Sequence, residues 1–296
     1  MSTVVVTGAG GQLGTELTRF MWPSDVRVVA LTEGALDLTD AGLVRKTLEE
    51  LRPDVVVNAA AYTAVDRAES EPERANAVNH LAPGTLAEAC AALEARLIHV
   101  STDYVFDGSK LGAYVPGDPV APLGVYGATK LAGEVAVRAA LPQHLIVRTS
   151  WVVAGHGQNF IRTMLRLARE RDELRVVNDQ HGCLTHAADL AAALARVATT
   201  WLDSSASPTY GTFHYAGADA ATWFDVATEV VALQASHTGR SPRVLPIPTS
   251  AYPTPARRPV NSVLDSSALV ARYGVVQQPW RHAASRAVAS LLESGT

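Results

Sequence analysis

The sequence predicts an α/β fold: a doubly wound parallel sheet with a smaller C-terminal α/β domain. Three observations carry the prediction. Apolar, β-branched runs alternate with helical patterns through the first half of the chain. The runs are mostly apolar, as suits strands of a parallel sheet covered on both faces. The first of them, TVVVT, leads straight into Gly8-x-x-Gly11-x-x-Gly14, a glycine-spaced turn that opens a helix.

Each element follows from local pattern. Residues 3–7 form the first strand, and a helix begins near Gln12 with Leu13, Leu17 and Phe20 on one side. VRVVALT (26–32) is the second strand, and AGLVRKTLEEL (41–51) is an amphipathic helix. DVVVNAAA (54–61) is the third strand. Residues 71–95 form a long helix containing Asn79 and Cys90, bent at Pro83. RLIHVST (96–102) is the fourth strand and HLIVRTS (144–150) the fifth. Right-handed crossovers between such strands build a dinucleotide-binding (Rossmann) sheet.

A boundary falls near residue 150. Residues 1–150 read as the dinucleotide-binding domain, and 151–296 as mainly substrate-binding, with some segments rejoining the first. In the second part, 160–171, 188–202 and 223–235 are helical, and 173–179 and 211–217 are strands. The stretch 246–259 holds too much proline for a helix or a central strand. Helices over 266–272 and 281–293 close the chain.

Composition excludes several classes. The chain has 296 residues, 48% hydrophobic and 18% charged, so it is globular and long enough to bury a core. A net charge of −4 argues against a nucleic-acid or membrane-surface partner. The two cysteines, Cys90 and Cys183, lie far apart without metal-type spacing, which predicts no disulfide and suits a reducing cytoplasm. The N-terminus lacks a basic, then apolar, leader pattern, and no apolar run reaches the length of a membrane span.

The motifs point to chemistry on a nucleotide. Gly8 and Gly11 let backbone approach a pyrophosphate, and the helix N-terminus adds free N–H groups and partial positive charge. The second strand ends at Thr32, which can hydrogen-bond a 2′-phosphate and does not repel it. This points to NADPH, with NADH kept open by Glu33 one residue on. Asp37-Leu38 lies where the chain can pass an adenine, and Asp37 equally suits a helix N-terminus. Small residues at Ala59, Ala60 and Ala61 allow close contact with a cofactor. Thr102 ends the fourth strand. Tyr126 and Lys130, four apart, share one face of an Ala-rich helix. An ammonium beside a phenol lowers the phenol's pKa toward the working range, so the pair is an acid/base device, with the Thr102 hydroxyl as a partner for the same substrate oxygen. Trp151 follows the fifth strand, either walling a sugar pocket or buried in the core. Arg257 and Arg258 offer guanidiniums suited to a diphosphate, or else sit solvated in a loop.

Together these residues resemble the extended short-chain dehydrogenase/reductase family, within it the reductases of nucleotide-linked 4-keto sugars. The likeness runs along nearly the whole chain. It rests on TGAGGQLGTEL, PDVVVNAAAYTAVDRAESEPE, STDYVFDG, VYGATKLAGE, RTSWVVAGHGQNF, VVNDQHGCLT and PTSAYPTPARRPVNS. The resemblance implies that Gly11, Gln12 and Leu13 line the cofactor pyrophosphate, and that Asp37, Leu38, Ala60, Ala61 and Tyr62 contact its adenosine half. It implies Thr102, Tyr126 and Lys130 as the catalytic set, with Thr102, Asp103 and Trp151 on the nucleotide sugar. Lys130 would hold the nicotinamide ribose. The implied reaction reduces the C4 ketone of dTDP-4-dehydro-6-deoxy-L-mannose to dTDP-L-rhamnose, a step of cell-surface polysaccharide biosynthesis.

Some relatives form homodimers through Mg²⁺ held by acidic side chains. Glu16 matches one such position, but its partner position reads Ala188, with Asp189 beside it, so no metal is expected and that mode of homodimer is not implied. Related dehydratases need an Asp-Glu pair after the threonine, and here Tyr104 follows Asp103. A 4-epimerase would retain its nicotinamide through the cycle. Regulatory subunits of methionine adenosyltransferase share the fold and reduce nothing, and the intact Thr102, Tyr126 and Lys130 set disfavours that alternative.

Overall fold

The structure is a computed structural model that describes residues 1–294; the last two residues of the expected C-terminal part, 295 and 296, lie outside it. The first half alternates as the strand and helix patterns require. It runs β1 (Ser2–Thr7), α1 (Gln12–Arg19), β2 (Val26–Leu31), α2 (Ala41–Leu51) and β3 (Val55–Asn58). Two short helices, α3 (Val65–Ala68) and α4 (Pro72–Asn76), precede α5 (Ala82–Ala92). Then come β4 (Arg96–Thr102), α6 (Val125–Ala140) and β5 (His144–Thr149).

The second half adds β6 (Val152–Val153), α7 (Phe160–Glu170), β7 (Glu173–Val177), β8 (His181–Gly182), β9 (Thr185–His186) and α8 (Ala187–Leu202). It continues through β10 (Gly211–His214), β11 (Ala221–Thr222), α9 (Trp223–Thr238), β12 (Arg243–Ile247) and β13 (Asn261–Ser262). The last helices are α10 (Ser267–Tyr273) and α11 (Trp280–Glu293).

The main sheet has six strands in the order β10-β5-β4-β3-β1-β2, every pair parallel. Strand order reverses at β1, so the loop after β1 opens at the switch point, where ligands bind in such sheets. Period-two geometry sends alternate residues to opposite faces. Val4, Val6, Val55, Val57 and Ile98 pack on α1, α8 and α10. Val5, Val56, Leu97 and Ile146 pack on α2, α5 and α6. A separate core joins α7, α9 and α11 with β7, through Ile161, Val226, Val230 and Trp280. Both cysteines are free and buried. Among the described residues, no helix is long and apolar enough to cross a membrane.

Three expectations need correction. The expected helix over 71–95 is interrupted by a π-turn, Ala77–Leu81, in which the Ala82 N–H reaches back five residues to the Ala77 carbonyl. Pro83 explains it: with no N–H, it cannot close the ordinary bond to the residue four before it, so the strain is taken up one turn earlier. The third strand stops at Asn58, because the Asn58 side chain accepts from the Ala60 N–H (3.1 Å) and turns the chain. Phe20 lies past the end of α1 and packs edge-on against Trp22 instead of joining the helix face. The proline-rich stretch forms neither a helix nor a central strand, as expected: Pro246 sits inside β12, which belongs to a two-stranded sheet with β7 and has a free edge.

Candidate active site

The glycine turn after β1 builds the first wall. Gly8 has φ of +69°, and a Cβ there would sit 2.6 Å from the backbone of Ala60. A Cβ on Gly14 would lie 2.1 Å from the Gly8 carbonyl oxygen, so α1 can begin this close only with glycine there. Gly11 caps α1 without any side-chain cap bond, which leaves first-turn N–H groups free for an anion. The cleft here has a volume of about 820 Å³ and is lined by Gly8, Gly11, Thr32, Asp37, Ala60 and Tyr62, among others. A narrow glycine cradle, an uncapped helix start and a cleft of that size fit the pyrophosphate and adenosine of a dinucleotide. Replacing Gly14 with alanine should abolish dinucleotide binding and cost about 1–3 kcal/mol of stability, the range for overpacking. Calorimetric titration and denaturant unfolding check both.

The residues expected at this cleft fall into two groups. Thr32, Asp37, Leu38, Ala60, Ala61 and Tyr62 all line it. Asp37 accepts from the N–H and hydroxyl of Thr39 (2.9 and 2.7 Å), and the hydroxyl bond chiefly holds its carboxyl below the usual range. Asp40, not Asp37, caps α2, accepting from the Leu43 N–H at 2.9 Å, which settles the alternative for Asp37. Gln12 and Leu13 turn away. Gln12 accepts from the Asn159 amide at 2.9 Å, and Leu13 is buried in the core, so only their backbone can face a pyrophosphate. Arg74, which sequence reasoning missed, also lines the cleft, its guanidinium 5.6 Å from the Tyr62 ring centroid.

The acid/base residues gather at the carboxyl end of β4. The Thr102 hydroxyl donates to Asp103 Oδ1 (2.9 Å) and accepts from the Tyr104 N–H (3.2 Å). Helix α6 approaches closely because Gly127 has no Cβ: one there would fall 2.1 Å from the Tyr104 carbonyl. Glu69 accepts from the Val125 N–H at 2.8 Å and so holds the start of α6. Tyr126, in the first turn, packs edge-on against Tyr104 at 5.4 Å between centroids. Lys130, one turn on, is buried and donates to the Val100 carbonyl at 2.7 Å.

The expected lowering of the Tyr126 pKa is not found. Burial pushes the phenol up to about 12, the nearby Asp103 charge adds to this, and only the Thr102 hydroxyl pulls it down. The Lys130 ammonium is engaged with β4 and gives the phenol no detectable help. Burial also drops Lys130 from 10.5 to about 8, against Glu134, which favours its charge.

Asp103 is buried, and burial lifts its carboxyl from 3.8 to about 6 against the pull of the Ser262, Thr102 and Ser150 hydroxyls. Its Oδ2 lacks a hydrogen-bond partner. Between about pH 4 and 6 the folded protein therefore holds a proton that the unfolded chain has lost, so stability falls as pH rises through that window. Asp103→Asn should remove this fall and gain about 1–3 kcal/mol at neutral pH, while matching the parent near pH 4. Denaturant unfolding at the two pH values tests it; an identical pH dependence in the variant would contradict it.

A second cleft, of about 600 Å³, adjoins Tyr104 and is lined by Asp66, Phe160, Trp223, Tyr252 and Arg258, with Arg171 and Arg175 also on its wall. Arg258 is tied to Asp66 by two bonds (2.6 and 2.7 Å), so it is neither solvated nor free. Trp151, at φ of +48°, stacks on Trp223 at 3.6 Å and supports that wall from behind. Trp223, Phe160 and Tyr252 were not anticipated; their only signal was an aromatic at the start of a helix or in a proline-rich loop. Glu16 accepts from or pairs with His156 at 2.7 Å, and Asp189 pairs with Arg286 at 2.7 Å.

Known proteins resemble this chain over its whole length. A curated dTDP-4-dehydrorhamnose reductase of Burkholderia thailandensis is 44% identical over 295 residues, covering 98% of this chain and 99% of the relative. The enzyme of that name from Escherichia coli K12 is 42% identical, covering 94% of each. The crystal structure of a dTDP-4-dehydrorhamnose reductase from Clostridium acetobutylicum superposes with a TM-score of 0.91 at 37% identity, covering 98% and 99% of the two chains. One from Bacillus anthracis, in complex with NADP, gives 0.88 at 34% identity, covering 97% and 98%. The model of the family described as the RmlD substrate binding domain matches residues 1–293. The fold, the glycine cleft and the full-length likeness agree: this chain belongs to the RmlD substrate binding domain family.

Proposed function

We propose that this protein is a dTDP-4-dehydrorhamnose reductase, which reduces the C4 ketone of dTDP-4-dehydro-6-deoxy-L-mannose to dTDP-L-rhamnose with NADPH. The observation that carries the reading is that Tyr126 hydrogen-bonds the Thr102 side chain and Lys130 donates to the Val100 carbonyl, both at the carboxyl end of β4, in a sheet whose dinucleotide cleft opens at the switch point after β1. The relatives of that name, and the NADP complex of one of them, support it.

When bound, reduced nicotinamide supplies the hydride that converts C4 to an alcohol carbon. The protein's part is the proton and its placement. Tyr126 donates its phenolic proton to the C4 oxygen. Burial raises the phenol above its ordinary range, so that proton is in place at neutral pH. Thr102 turns its hydroxyl from Asp103 to the same oxygen. Lys130 holds the cofactor ribose. Gly8, Gly11 and the backbone of Gln12 and Leu13 hold the pyrophosphate. Thr32 takes the 2′-phosphate, and Asp37, Leu38, Ala60, Ala61 and Tyr62 frame the adenosine. Asp103 and Arg258 face the nucleotide sugar, and Trp151 holds Trp223 against it. Residues 1–150 serve dinucleotide binding and 151–296 mainly substrate binding, with the β10 segment returning to the first sheet.

Coupled turnover tests the reading. The 4-keto sugar nucleotide is generated in place, the protein is added, and loss of NADPH is followed against formation of dTDP-rhamnose. Stoichiometric conversion, with a higher kcat/KM for NADPH than for NADH, is expected. Absence of conversion while NADPH binds would favour a non-catalytic regulatory role for the fold.

A further inference from the structure

Strand β4 carries a buried histidine that the mechanism above does not use. His99 is wholly buried, and its two ring nitrogens face different partners. On one side stands Asn58, whose Oδ1 accepts from the Thr7 hydroxyl at 2.8 Å and from the Ala60 N–H at 3.1 Å. With Oδ1 so occupied, the Asn58 Nδ2 faces His99 Nδ1 at 3.1 Å as a donor. A donor at Nδ1 requires a lone pair there, so the single ring proton resides on Nε2. On that side, Nε2 lies 3.4 Å from Lys130 Nζ, which donates to the Val100 carbonyl at 2.7 Å.

We propose that His99, held in its Nε2–H tautomer by the Thr7–Asn58 hydrogen-bond chain, is a positioning residue that presents an N–H to Lys130 and favours the neutral amine over the ammonium. An ammonium has no lone pair to accept that N–H; an amine has one and still donates to Val100. A second ring proton is opposed by burial and by the nearby Lys130, His144 and Arg138 charges. On Lys130 itself, burial acts in the same direction as His99, and the Glu134 carboxylate opposes both. Among the described residues, the groups that act on the pair come from α6 (Lys130, Glu134, Arg138) and β5 (His144).

The consequence is an alkaline limit on the reaction close to the Lys130 value of about 8. This rests on the proposed reductase reading only for the role of Lys130. The tautomer is independent of it.

Two measurements test the inference. The first is nitrogen NMR of the histidine side chains in the ligand-free protein, with His99 assigned by through-bond correlation to its own backbone resonances. The Nε2–H tautomer, unchanged across neutral pH, is expected; an Nδ1–H tautomer or an imidazolium would overturn the proposal. The second is the pH profile of kcat/KM, together with the pH dependence of NADPH binding. In Asn58→Asp the second carboxylate oxygen accepts from Nδ1–H, which turns the Nε2 lone pair toward Lys130. Each profile is normalised to its own plateau. The alkaline limb should then move up by about one pH unit in Asn58→Asp, a roughly tenfold gain in retained activity above the limb. His99→Phe, which removes the N–H, should move it the same way. A residue that merely fills space would lower the plateau and leave the limb in place, and that result would sink the idea. If no turnover is found at all, the reductase reading fails, while the tautomer and the binding profile still decide this one. If neither variant folds, the tautomer in the parent protein decides alone.

Discussion

Tyr126→Phe lowers kcat by about 10²-fold or more and leaves NADPH affinity within a few-fold of the parent. Burial keeps the Tyr126 phenol protonated at neutral pH, so beside Thr102 it stands as a proton donor and not a base. Its ring is held by Tyr104 and by the start of α6, neither of which depends on the hydroxyl. The variant therefore keeps its fold and its cleft and loses the proton. Stopped-flow turnover and fluorescence titration of NADPH separate the two effects. Turnover near that of the parent would remove Tyr126 from the reaction.

Arg148→Leu costs about 3–5 kcal/mol of stability, the range for breaking a buried ion pair from one side. Arg148 and Glu134 are both buried, and the guanidinium grips the carboxylate with two bonds, at 2.8 and 2.7 Å. Ser101 and Arg138 complete the carboxylate's shell at 2.6 Å each. Burial alone would raise Glu134, but the Arg148 hydrogen bonds and charge outweigh it and hold the carboxyl below its usual value. The pair's stability is therefore present above the ordinary carboxylate range and is lost as pH falls through the lowered value. Its position matters to function. Glu134 lies on α6, Ser101 on β4 and Arg148 on β5, so the cluster clamps the Tyr126–Lys130 helix to the strand that carries Thr102. Replacing both Glu134 and Arg148 with leucine should restore much of the loss, since no buried charge is then unpartnered. Urea unfolding of the single and double variants measures it.

Much of this architecture was legible in residue patterns. The β-branched runs at 3–7, 54–61 and 96–102 read as strands, the run at 54–61 too long at its end, and the spacing of Gly8, Gly11 and Gly14 marked the turn between the first strand and its helix. Tyr126 and Lys130 were legible because helical spacing fixes their shared side. What escaped were features set by tertiary contact. Burial of Tyr126 and engagement of Lys130 by Val100 reversed the expected direction of the phenol's pKa, and neither is visible in a spacing of four. The Asp66–Arg258 pair joins residues 192 apart in the chain, as the hydrogen bond between them records. The π-turn before Pro83 reflects a missing N–H that a proline kink could have absorbed in another way. Trp223 and Phe160 looked like ordinary helix starts until the fold brought them to one cleft.

The most direct test follows the hydride. With the 4-keto sugar nucleotide and NADPH deuterated at the transferable nicotinamide position, the account predicts one deuterium at C4 of the dTDP-rhamnose formed, at a rate that drops with Tyr126→Phe. Product without deuterium at C4, or deuterium delivered as fast without the phenol as with it, would contradict the convergence of cofactor, ketone and Tyr126 on which the account depends.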